Sequence, residues 1–413
     1  MKNLIIYLLR SRAKSILSKF NPKIVAITGS VGKTSAKEAI ALVLSAKYKV
    51  RTAKKNYNNE FGVPLTILGE KSPGKNPFGW LALFWRSYWV KDFPQVLVLE
   101  YGIDKPGDMD KLCALARPNV AVVTGISTVH AQCVLQGGCV ILNEDDEKVR
   151  AMEENANERV VKYGSRSIEN TFNNMELETR VDAHFSVGET FIVTRSEITI
   201  SGEVYGTLEL NNMIGYAPLM SALCALTVAR QMDVNVTLAM QKITKELCPV
   251  PGRLNPIAGI KGSLIIDDSY NAAPAAMQNG LEALRAFTLL EGKDRKIAAL
   301  GQMAELGQYT KQEHRLIGMK VAEVADVFVA VGESMRVAVE AAEEAGMYKE
   351  AIEWFATSEE AGRYLDREIQ EGDIVYVKGS QSSRMERVVK DLMAEPLRAS
   401  ELLVRQEEKW LRQ

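Results

Sequence analysis

Long apolar runs are missing from this 413-residue sequence, so nothing in it has the length and composition of a membrane-spanning helix. The first twenty residues mix the apolar stretch Leu4–Leu9 with four later basic residues, Arg10, Arg12, Lys14 and Lys19. A signal peptide carries its charge before the apolar stretch and a small-residue cleavage site after it. We therefore expect a short basic amphipathic helix that packs on the domain behind it, with contact to a membrane surface through residues 1–20 as the alternative.

Cysteine pairs and an excess of one charge are also missing. The five cysteines include no CxxC pair, which argues against a zinc site and against a disulfide framework. We expect reduced thiols and a cytoplasmic location. With 51 basic and 52 acidic residues the net charge is −1, so nothing favours a nucleic-acid partner. Internal repeats and low-complexity tracts are absent as well.

The length indicates two or three domains, each with its own core. From Pro22 onward, apolar strand-like runs alternate with helical patterns, which predicts a parallel sheet covered by helices. The predicted strands of this first part are Lys23–Thr28, Gln95–Glu100, Val120–Gly125 and Cys139–Leu142, and its predicted helices include Thr34–Lys47, Met109–Ala116 and, later, Pro218–Met232. Between Val181 and Leu210 the pattern alternates with period two and predicts a small antiparallel insertion.

The segment Cys248–Gly252 contains two prolines and a glycine and is the best candidate for a linker. After it a second alternating series begins, with predicted strands Leu264–Asp267, Lys296–Leu300, Val327–Val331 and Ile374–Val377. We therefore predict an α/β protein with a phosphate-loop central domain and a Rossmann-like C-terminal domain. The expected parts are an N-terminal helix (1–22), a central ATP-binding domain (23–250), a C-terminal domain (251–395) and a charged helical tail (396–413).

The strongest motif is a glycine-rich phosphate loop, Gly29-Ser30-Val31-Gly32-Lys33-Thr34, between a predicted strand and a predicted helix. Glycines let backbone N–H groups close around phosphate oxygens, and the helix directs its positive end at them. Lys33 supplies a cation for the β- and γ-phosphates, and the Thr34 hydroxyl can bind Mg²⁺. The full pattern has a glycine where Ile27 stands, so the loop is a shortened variant. We predict ATP binding here.

Several further segments, taken in order, carry a family resemblance. They are Lys37-Glu38, Asn58-Asn59-Glu60-Phe61-Gly62-Val63-Pro64-Leu65-Thr66, Glu100-Tyr101-Gly102, Arg117-Pro118 leading to His130, Gly252-Arg253, Asp267-Asp268-Ser269-Tyr270-Asn271-Ala272-Ala273-Pro274, Gly301–Gly307 with His314, and Lys378-Gly379-Ser380 with Met385-Glu386. Together with the phosphate loop, this series resembles the Mur ligases, the ATP-dependent amide-forming enzymes of cell-wall precursor synthesis. The segment from Asn58 to Thr66 is similar to that of the branch that adds D-alanyl-D-alanine to a UDP-sugar peptide.

The resemblance implies a two-step reaction in which ATP phosphorylates a carboxylate and an amine then displaces the phosphate. It implies Thr34 and Glu100 as ligands of a first Mg²⁺ and His130 as the ligand of a second. The position of Glu100 agrees with this role, since ligands bind at the carboxyl ends of strands in open parallel sheets. The alternatives are a solvated strand-end carboxylate for Glu100 and a structural histidine for His130. Asn59 belongs to the implied nucleotide-binding set.

In the second domain the resemblance implies that Arg253 reaches the phosphates when the domains close on substrate. Asp267 or Asp268, together with Asn271, is expected to shape the nucleotide or amine side of the site, and Lys378 is expected to face the dipeptide carboxylate or the phosphates. The alternative for one of the two aspartates is that it caps the next helix, which is nearly as well supported as a role in the site. The alternative for Lys378 is an ordinary surface lysine.

Two departures from the family pattern stand out. Only about twenty residues precede the phosphate loop, too few for the UDP-binding domain with which full-length relatives begin. The family also carries a lysine, carbamylated to bridge the metals, on a helix after the His130 strand. No lysine occurs between His130 and Lys148, and Gln132 stands where the family has an acidic residue. The short connection 127–138 points the same way, because a parallel crossover needs a dozen or more residues. Three explanations are open: a degenerate or truncated copy that binds ATP but ligates poorly, a segment missing from this sequence, or a second metal ion held in another way. The hypothesis is that ligase activity is impaired.

Three of the five tryptophans lie in Trp80–Trp89, where bulky residues recur at three- and four-residue spacing. This pattern predicts a helix with an aromatic stripe. We expect the stripe to pack in a core or between domains, with docking to a membrane or a membrane-bound partner as the alternative.

Three functions compete. The first is an ATP-dependent ligase that acts on a cell-wall precursor, with Mg²⁺ as cofactor and a UDP-sugar peptide and D-alanyl-D-alanine as substrates. The second keeps this chemistry for another substrate, as in the related folate-polyglutamylating or cyanophycin-forming enzymes. The third is a non-catalytic nucleotide-binding module. The segments Asn58–Thr66 and Asp267–Pro274 favour the first and the missing lysine favours the third. We expect a monomer.

Overall fold

A computed structural model describes residues 2–53, 57–102, 107–125, 134–156, 158–164, 175–186, 189–200, 203–214, 216–287 and 295–411. These residues divide into two compact units. The first consists of Met1–Thr179, Ser196–Glu209 and Pro218–Leu247, and the second of Arg180–Arg195, Leu210–Ala217 and Cys248–Gln413.

The elements up to the linker segment follow one another as α1 Lys2–Phe20, β1 Lys23–Thr28, α2 Lys33–Leu44, β2 Val50–Thr52, α3 Gly62–Leu68, α4 Pro77–Tyr88, β3 Val96–Glu100, α5 Asp108–Leu115, β4 Val120–Val123, β5 Cys139–Asn143, α6 Glu147–Arg150, β6 Arg159–Tyr163, β7 Met175–Ser186, β8 Glu189–Ile200, β9 Glu203–Asn211, α7 Tyr216–Gln231 and α8 Val236–Glu246. A six-stranded parallel sheet has the order β2-β3-β1-β4-β5-β6. The strands β7, β8 and β9 form a separate three-stranded sheet.

The central strands of the parallel sheet read as nearly unbroken apolar runs because both of their faces are covered. All of β3 and all of β1 after Lys23 are buried. On one face α1, α3, α4 and α5 enclose a core that contains Leu9, Leu65 and Leu97. The burial of α1 in this core confirms the expectation that the N-terminal helix packs on the domain behind it. Within the described residues, no helix has the length and hydropathy needed to cross a bilayer.

The register brings the carboxyl ends of three strands together. Ile27 of β1 lies opposite Glu100 of β3, and Thr28 lies opposite Val123 of β4. The next strand, β5, is parallel to β4, so the connection between them is a crossover. The connection between these two strands includes residues 126–133, which lie outside the described residues.

The remaining elements are β10 Asn255–Ala258, β11 Leu264–Asp268, α9 Pro274–Arg285, β12 Lys296–Gly301, α10 Thr310–Val324, β13 Val327–Val331, α11 Arg336–Glu344, β14 Ile352–Phe355, α12 Ser358–Glu368, β15 Ile374–Lys378, α13 Glu386–Leu392, α14 Ala399–Leu402 and α15 Glu408–Leu411. Their sheet has the order β10-β11-β15-β12-β13-β14 and is parallel except for β10, which runs antiparallel to β11. Apolar clusters cover both faces of this sheet. The predicted α/β class is confirmed.

One prediction about the tail is wrong. A single charged helix was expected over 397–413, yet the described residues form two short helices, α14 and α15. Between them Arg405 has a φ of 58°, a left-handed conformation that interrupts a right-handed helix. Its guanidinium is buried and donates 3.1 Å hydrogen bonds to Oε2 of Glu386 and to the carbonyl of Ser269.

Candidate active site

The loop between β1 and α2 requires glycine at two positions. Gly29 has a φ of 142° and Gly32 a φ of 82°, which other residues rarely adopt. A Cβ on Gly29 would also overlap Oγ1 of Thr124, at the end of β4. The Thr124 hydroxyl donates a 2.6 Å hydrogen bond to the carbonyl of Val31. The loop is therefore held against the carboxyl edge of the sheet.

Lys33 begins α2 and bends back over this loop. Its Nζ donates a hydrogen bond to the carbonyl of Gly29, four residues earlier. Since α2 starts at Lys33, the positive end of its dipole faces the loop as well. A cationic side chain and a helix N-terminus at one glycine loop form an arrangement suited to phosphate.

Glu100, the last residue of β3, is buried beside this loop and is 4% exposed. Its Oε2 accepts a 3.3 Å hydrogen bond from Oγ1 of Thr34, and its Oε1 accepts one of 3.4 Å from Nδ2 of Asn58. The Nζ of Lys37, also buried, lies 3.9 Å from Oε2 and donates to the carbonyl of Ala53. The two residues predicted to hold the first metal ion are thus neighbours.

This oxygen pair suits Mg²⁺. Magnesium usually takes one or two protein carboxylate or hydroxyl oxygens and completes its shell with phosphates and water. Thr34 and Glu100 provide two such oxygens next to a phosphate-binding loop. In the described part of the chain, no group of three or more acidic, histidine or cysteine side chains is placed to coordinate a metal ion.

Asn59, predicted to bind nucleotide, has its amide oxygen hydrogen-bonded to the backbone. Its Oδ1 accepts hydrogen bonds from the N–H groups of Phe61, at 3.1 Å, and Gly62, at 2.9 Å. These bonds hold the backbone where the chain enters α3. The neighbouring Asn58 is the residue that contacts Glu100.

Sequence reasoning gave no role to Lys37 or to Asn58. For Lys37 a signal exists, because it lies four residues after Lys33 and so on the same face of α2. For Asn58 the only signal is its place beside Asn59 in the family-like segment. His130, the predicted ligand of the second metal ion, lies outside the described residues.

In the second unit the two adjacent aspartates of β11 have different partners. Asp268 accepts hydrogen bonds from Nζ of Lys378, at 2.5 Å, and from the Tyr376 hydroxyl, at 3.2 Å. Lys378 is 1% exposed, and its burial lowers the pKa of the ammonium. Burial and the Asp268 charge raise the pKa of the Tyr376 hydroxyl. Lys378 is thus a buried, paired lysine rather than a surface one.

Asp267 holds the backbone that carries Arg253. Its carboxylate accepts hydrogen bonds of 3.0 Å from the N–H groups of Gly252 and Ser269. Full burial raises its pKa from 3.8 to about 6. The Arg253 guanidinium lies over the Tyr270 ring, 4.4 Å from its centroid. Of the two aspartates, Asp267 therefore shapes a loop and Asp268 pairs with a cation.

Asn271 lines a cavity of about 690 Å³ within the second unit. Its wall also includes Glu305 and Leu306 after β12, Gln381 and Arg384 after β15, and Trp410 of α15. The Arg384 guanidinium donates to Oε1 of Glu386, at 2.6 Å, and to the carbonyl of Trp410, at 3.0 Å. This combination of an arginine with a tail tryptophan was not predicted, because the two are far apart in the sequence.

Comparison with known proteins adds two family matches. The family described as "Mur ligase middle domain" matches residues 27–136, and the family described as "Mur ligase, glutamate ligase domain" matches residues 252–381. The first match contains the glycine loop and Glu100, and the second contains Arg253, Asp268, Asn271 and Lys378.

Similar whole proteins include the UDP-N-acetylmuramoyl-tripeptide–D-alanyl-D-alanine ligases of Bacillus subtilis and Mycobacterium leprae. The first is 26% identical over 397 residues, covering 94% of this chain and 80% of the relative. The second is 29% identical over 394 residues, covering 87% of this chain and 71% of the relative.

Among solved structures, the MurF ligase from Thermotoga maritima in complex with ADP is similar, with a TM-score of 0.73 and 25% identity. The match covers 94% of this chain and 83% of that one. MurF from Acinetobacter baumannii shares the fold with a TM-score of 0.72, at 23% identity.

Proposed function

We propose that the chain is an ATP-dependent carboxylate–amine ligase of peptidoglycan precursor synthesis, because residues 27–136 and 252–381 match the middle domain and the glutamate ligase domain of the Mur ligases. Its relatives are named for joining D-alanyl-D-alanine to a UDP-N-acetylmuramoyl-tripeptide, and we propose the same pair of substrates here. The observation that carries the proposal is the buried Glu100, hydrogen-bonded to Thr34 at the glycine loop.

The first step transfers the γ-phosphoryl group of ATP to the tripeptide carboxylate. Negative charge accumulates on the phosphates, so the site needs cations and N–H donors aimed at them. Lys33 and the loop from Gly29 to Thr34 provide these groups. Thr34 and Glu100 would hold Mg²⁺, which offsets the phosphate charge when bound. Asn58 orients the Glu100 carboxylate through Oε1, and the Lys37 ammonium lies 3.9 Å from Oε2, the oxygen that faces Thr34.

In the second step the dipeptide amine attacks the acyl-phosphate carbonyl, the new C–N bond forms and phosphate leaves. We propose that Arg253 and Lys378 stabilise the phosphate and carboxylate charges of this step. The Asp268 carboxylate fixes the Lys378 ammonium by a buried ion pair. Asn271 contributes an amide to the cavity wall on the amine side.

A specific observation favours a second candidate, a nucleotide-binding module without ligase activity. No lysine occurs between His130 and Lys148, where the family resemblance implies the metal-bridging carbamylated lysine. In that case ATP and the first metal ion still bind at Lys33, Thr34 and Glu100, while ligation is slow or absent.

Phosphate release measured with ATP, Mg²⁺, UDP-N-acetylmuramoyl-tripeptide and D-alanyl-D-alanine, each omitted in turn, separates these functions. Release that requires both substrates, with mass-spectrometric detection of the extended peptide, supports the ligase. Release that requires a different acid and amine supports a related ligase of other specificity. Tight ATP binding without turnover supports the module. The Lys33→Ala variant is the control, since it should lose ATP binding in every case.

A further inference from the structure

Two helices of the first unit expose large apolar side chains. We define the α1–α4 face as the surface formed by these exposed residues: Leu4, Tyr7 and Leu8 of α1, Phe78, Leu81, Trp85 and Tyr88 of α4, and Trp89 directly after α4. The opposite sides of the same helices are buried, with Leu9 and Ile16 on α1 and Trp80 and Leu83 on α4. The core therefore fixes both helices with this face pointing outward.

The two helices are joined where Arg12 of α1 meets the end of α4. The Arg12 Nε donates a 3.0 Å hydrogen bond to Oγ of Ser87, and its guanidinium lies 4.0 Å from the centroid of the Tyr88 ring. Leu4 and Leu8 precede Arg12 at four-residue spacing and so share one row of α1. A second row, formed on α4 by Phe78, Leu81, Trp85 and Tyr88, meets the first at this contact.

The two segments that carry this face are rich in basic residues, and the acidic residues that border the second segment, Glu70 and Asp92, pair with Arg86 and Lys49. Segments 1–20 and 71–91 contain nine basic residues and no acidic residue, although the whole chain has 51 basic and 52 acidic residues. Lys14, Lys19, Lys71, Lys75 and Lys91 are exposed. Tryptophan and tyrosine prefer the boundary between lipid and water, and basic residues are attracted by anionic headgroups.

We propose that the α1–α4 face docks on an anionic phospholipid surface, with Phe78, Leu81 and Trp85 entering the headgroup boundary and the flanking lysines contacting the headgroups. The helices lie on the bilayer and do not cross it. Charge complementarity favours lipid over a second copy of this chain, because a two-fold interface would bring these basic segments face to face.

Flotation of the full chain with vesicles tests the proposal. The protein is expected to float with vesicles of phosphatidylcholine and phosphatidylglycerol, less with phosphatidylcholine alone, and less at high salt, because screening weakens the headgroup attraction. The double variant Leu81→Ser/Trp85→Ser should bind anionic vesicles at least about tenfold more weakly, since it removes two apolar side chains from the membrane boundary. Lys14→Glu/Lys91→Glu should also weaken binding at least about tenfold.

Matched variants elsewhere on the surface serve as controls. Tyr348→Ser/Leu397→Ser removes two highly exposed apolar side chains, and Lys245→Glu/Lys311→Glu reverses two exposed charges, all outside the face. Both should float like the unmodified chain, and ATP binding at the glycine loop reports that every variant is folded. Absence of flotation with anionic vesicles overturns the proposal, as does equal loss in the control variants. Lipid-free dimerisation that Leu81→Ser/Trp85→Ser abolishes also overturns it, in favour of a self-association surface.

Discussion

At the scale of single residues, the charge of Glu100 is the most direct test of the proposed site. Replacement of Glu100 by Gln keeps the shape of the side chain and removes its negative charge next to Thr34 and Lys37. We expect phosphate release to fall by about 100-fold or more, since the metal loses its only proposed carboxylate ligand. The Mg²⁺ concentration required for half-maximal rate should rise.

The matched control for that substitution is Glu38→Gln. Glu38 also pairs with Lys37, at 3.3 Å, yet its side chain is 42% exposed. Among the described residues, it has no contact with the glycine loop. Its rate should stay within about twofold of the unmodified chain, as for an ordinary surface ion pair. Equal rates for Glu100→Gln and the unmodified chain would contradict the proposed metal ligand.

Asn58 and Asn59 show what a sequence motif can predict about a site and what it cannot. The segment that contains both was predicted to belong to the site, yet a motif assigns residues in sequence, whereas hydrogen bonds depend on the direction of each side chain. Asn59 turns to the N–H groups of α3, and Asn58 turns to Glu100. Which of the two adjacent asparagines contacts Glu100 depends on the backbone conformation at the start of α3. Residue identity alone does not reveal that conformation.

At the scale of elements, His314 ties helix α10 to the segment after β12. Its Nε2 accepts a 3.1 Å hydrogen bond from the Met303 N–H, and its Nδ1 lies 2.7 Å from the Thr310 carbonyl, to which it donates. This pair of contacts requires the neutral ring, because a protonated Nε2 can no longer accept. Burial lowers the pKa of His314 below its ordinary value of 6.5, in agreement with this arrangement.

The contacts of His314 should therefore stabilise the second unit less in acid. A histidine whose pKa is lower in the folded state binds fewer protons there than in the unfolded chain, so stability is fully present above 6.5 and declines as pH falls below that value toward the folded pKa. Between about pH 8 and pH 5, the urea unfolding midpoint of the unmodified chain should fall relative to that of His314→Gln. The difference between the two curves isolates His314 from Asp267, whose raised pKa acts in the opposite direction. Parallel curves would contradict the assignment.

Elements differ in how well local sequence specifies them. The strands β1 and β13 coincide with predicted runs, and β12 ends one residue beyond its run. Their apolar side chains are buried on both faces, and the sequence shows this directly as an apolar run. The tail was mispredicted, since its break at Arg405 depends on contacts with Glu386 and Ser269, which precede it by 19 and 136 residues. Local periodicity contains no information about such partners.

At the scale of the whole molecule, the sequence predicted two α/β units and placed candidate residues at the carboxyl ends of strands in each. This rule is physical, because parallel strands bring their carboxyl ends to one edge of the sheet. Glu100 ends β3, and Asp268 and Lys378 are paired neighbours at the ends of β11 and β15. The contacts of Glu100 with Asn58 and of Asp268 with Lys378 could not be predicted, because they arise only when distant segments meet.

The missing lysine leads to a prediction about the proposed ligase reaction. The family resemblance implies a lysine that must react with carbon dioxide before the second metal ion binds, and no lysine lies between His130 and Lys148. We therefore expect substrate-dependent phosphate release to be slow, and to be the same in degassed buffer and in buffer with added bicarbonate. A rate that rises with bicarbonate would contradict this prediction.

If the rate does rise, Lys162 is the first lysine to test as a replacement for the missing one. It lies near the end of β6, and its Nζ is 3.7 Å from Oε1 of the buried Glu144. The variant Lys162→Arg keeps the positive charge but cannot form a carbamate, so it should abolish the effect of bicarbonate.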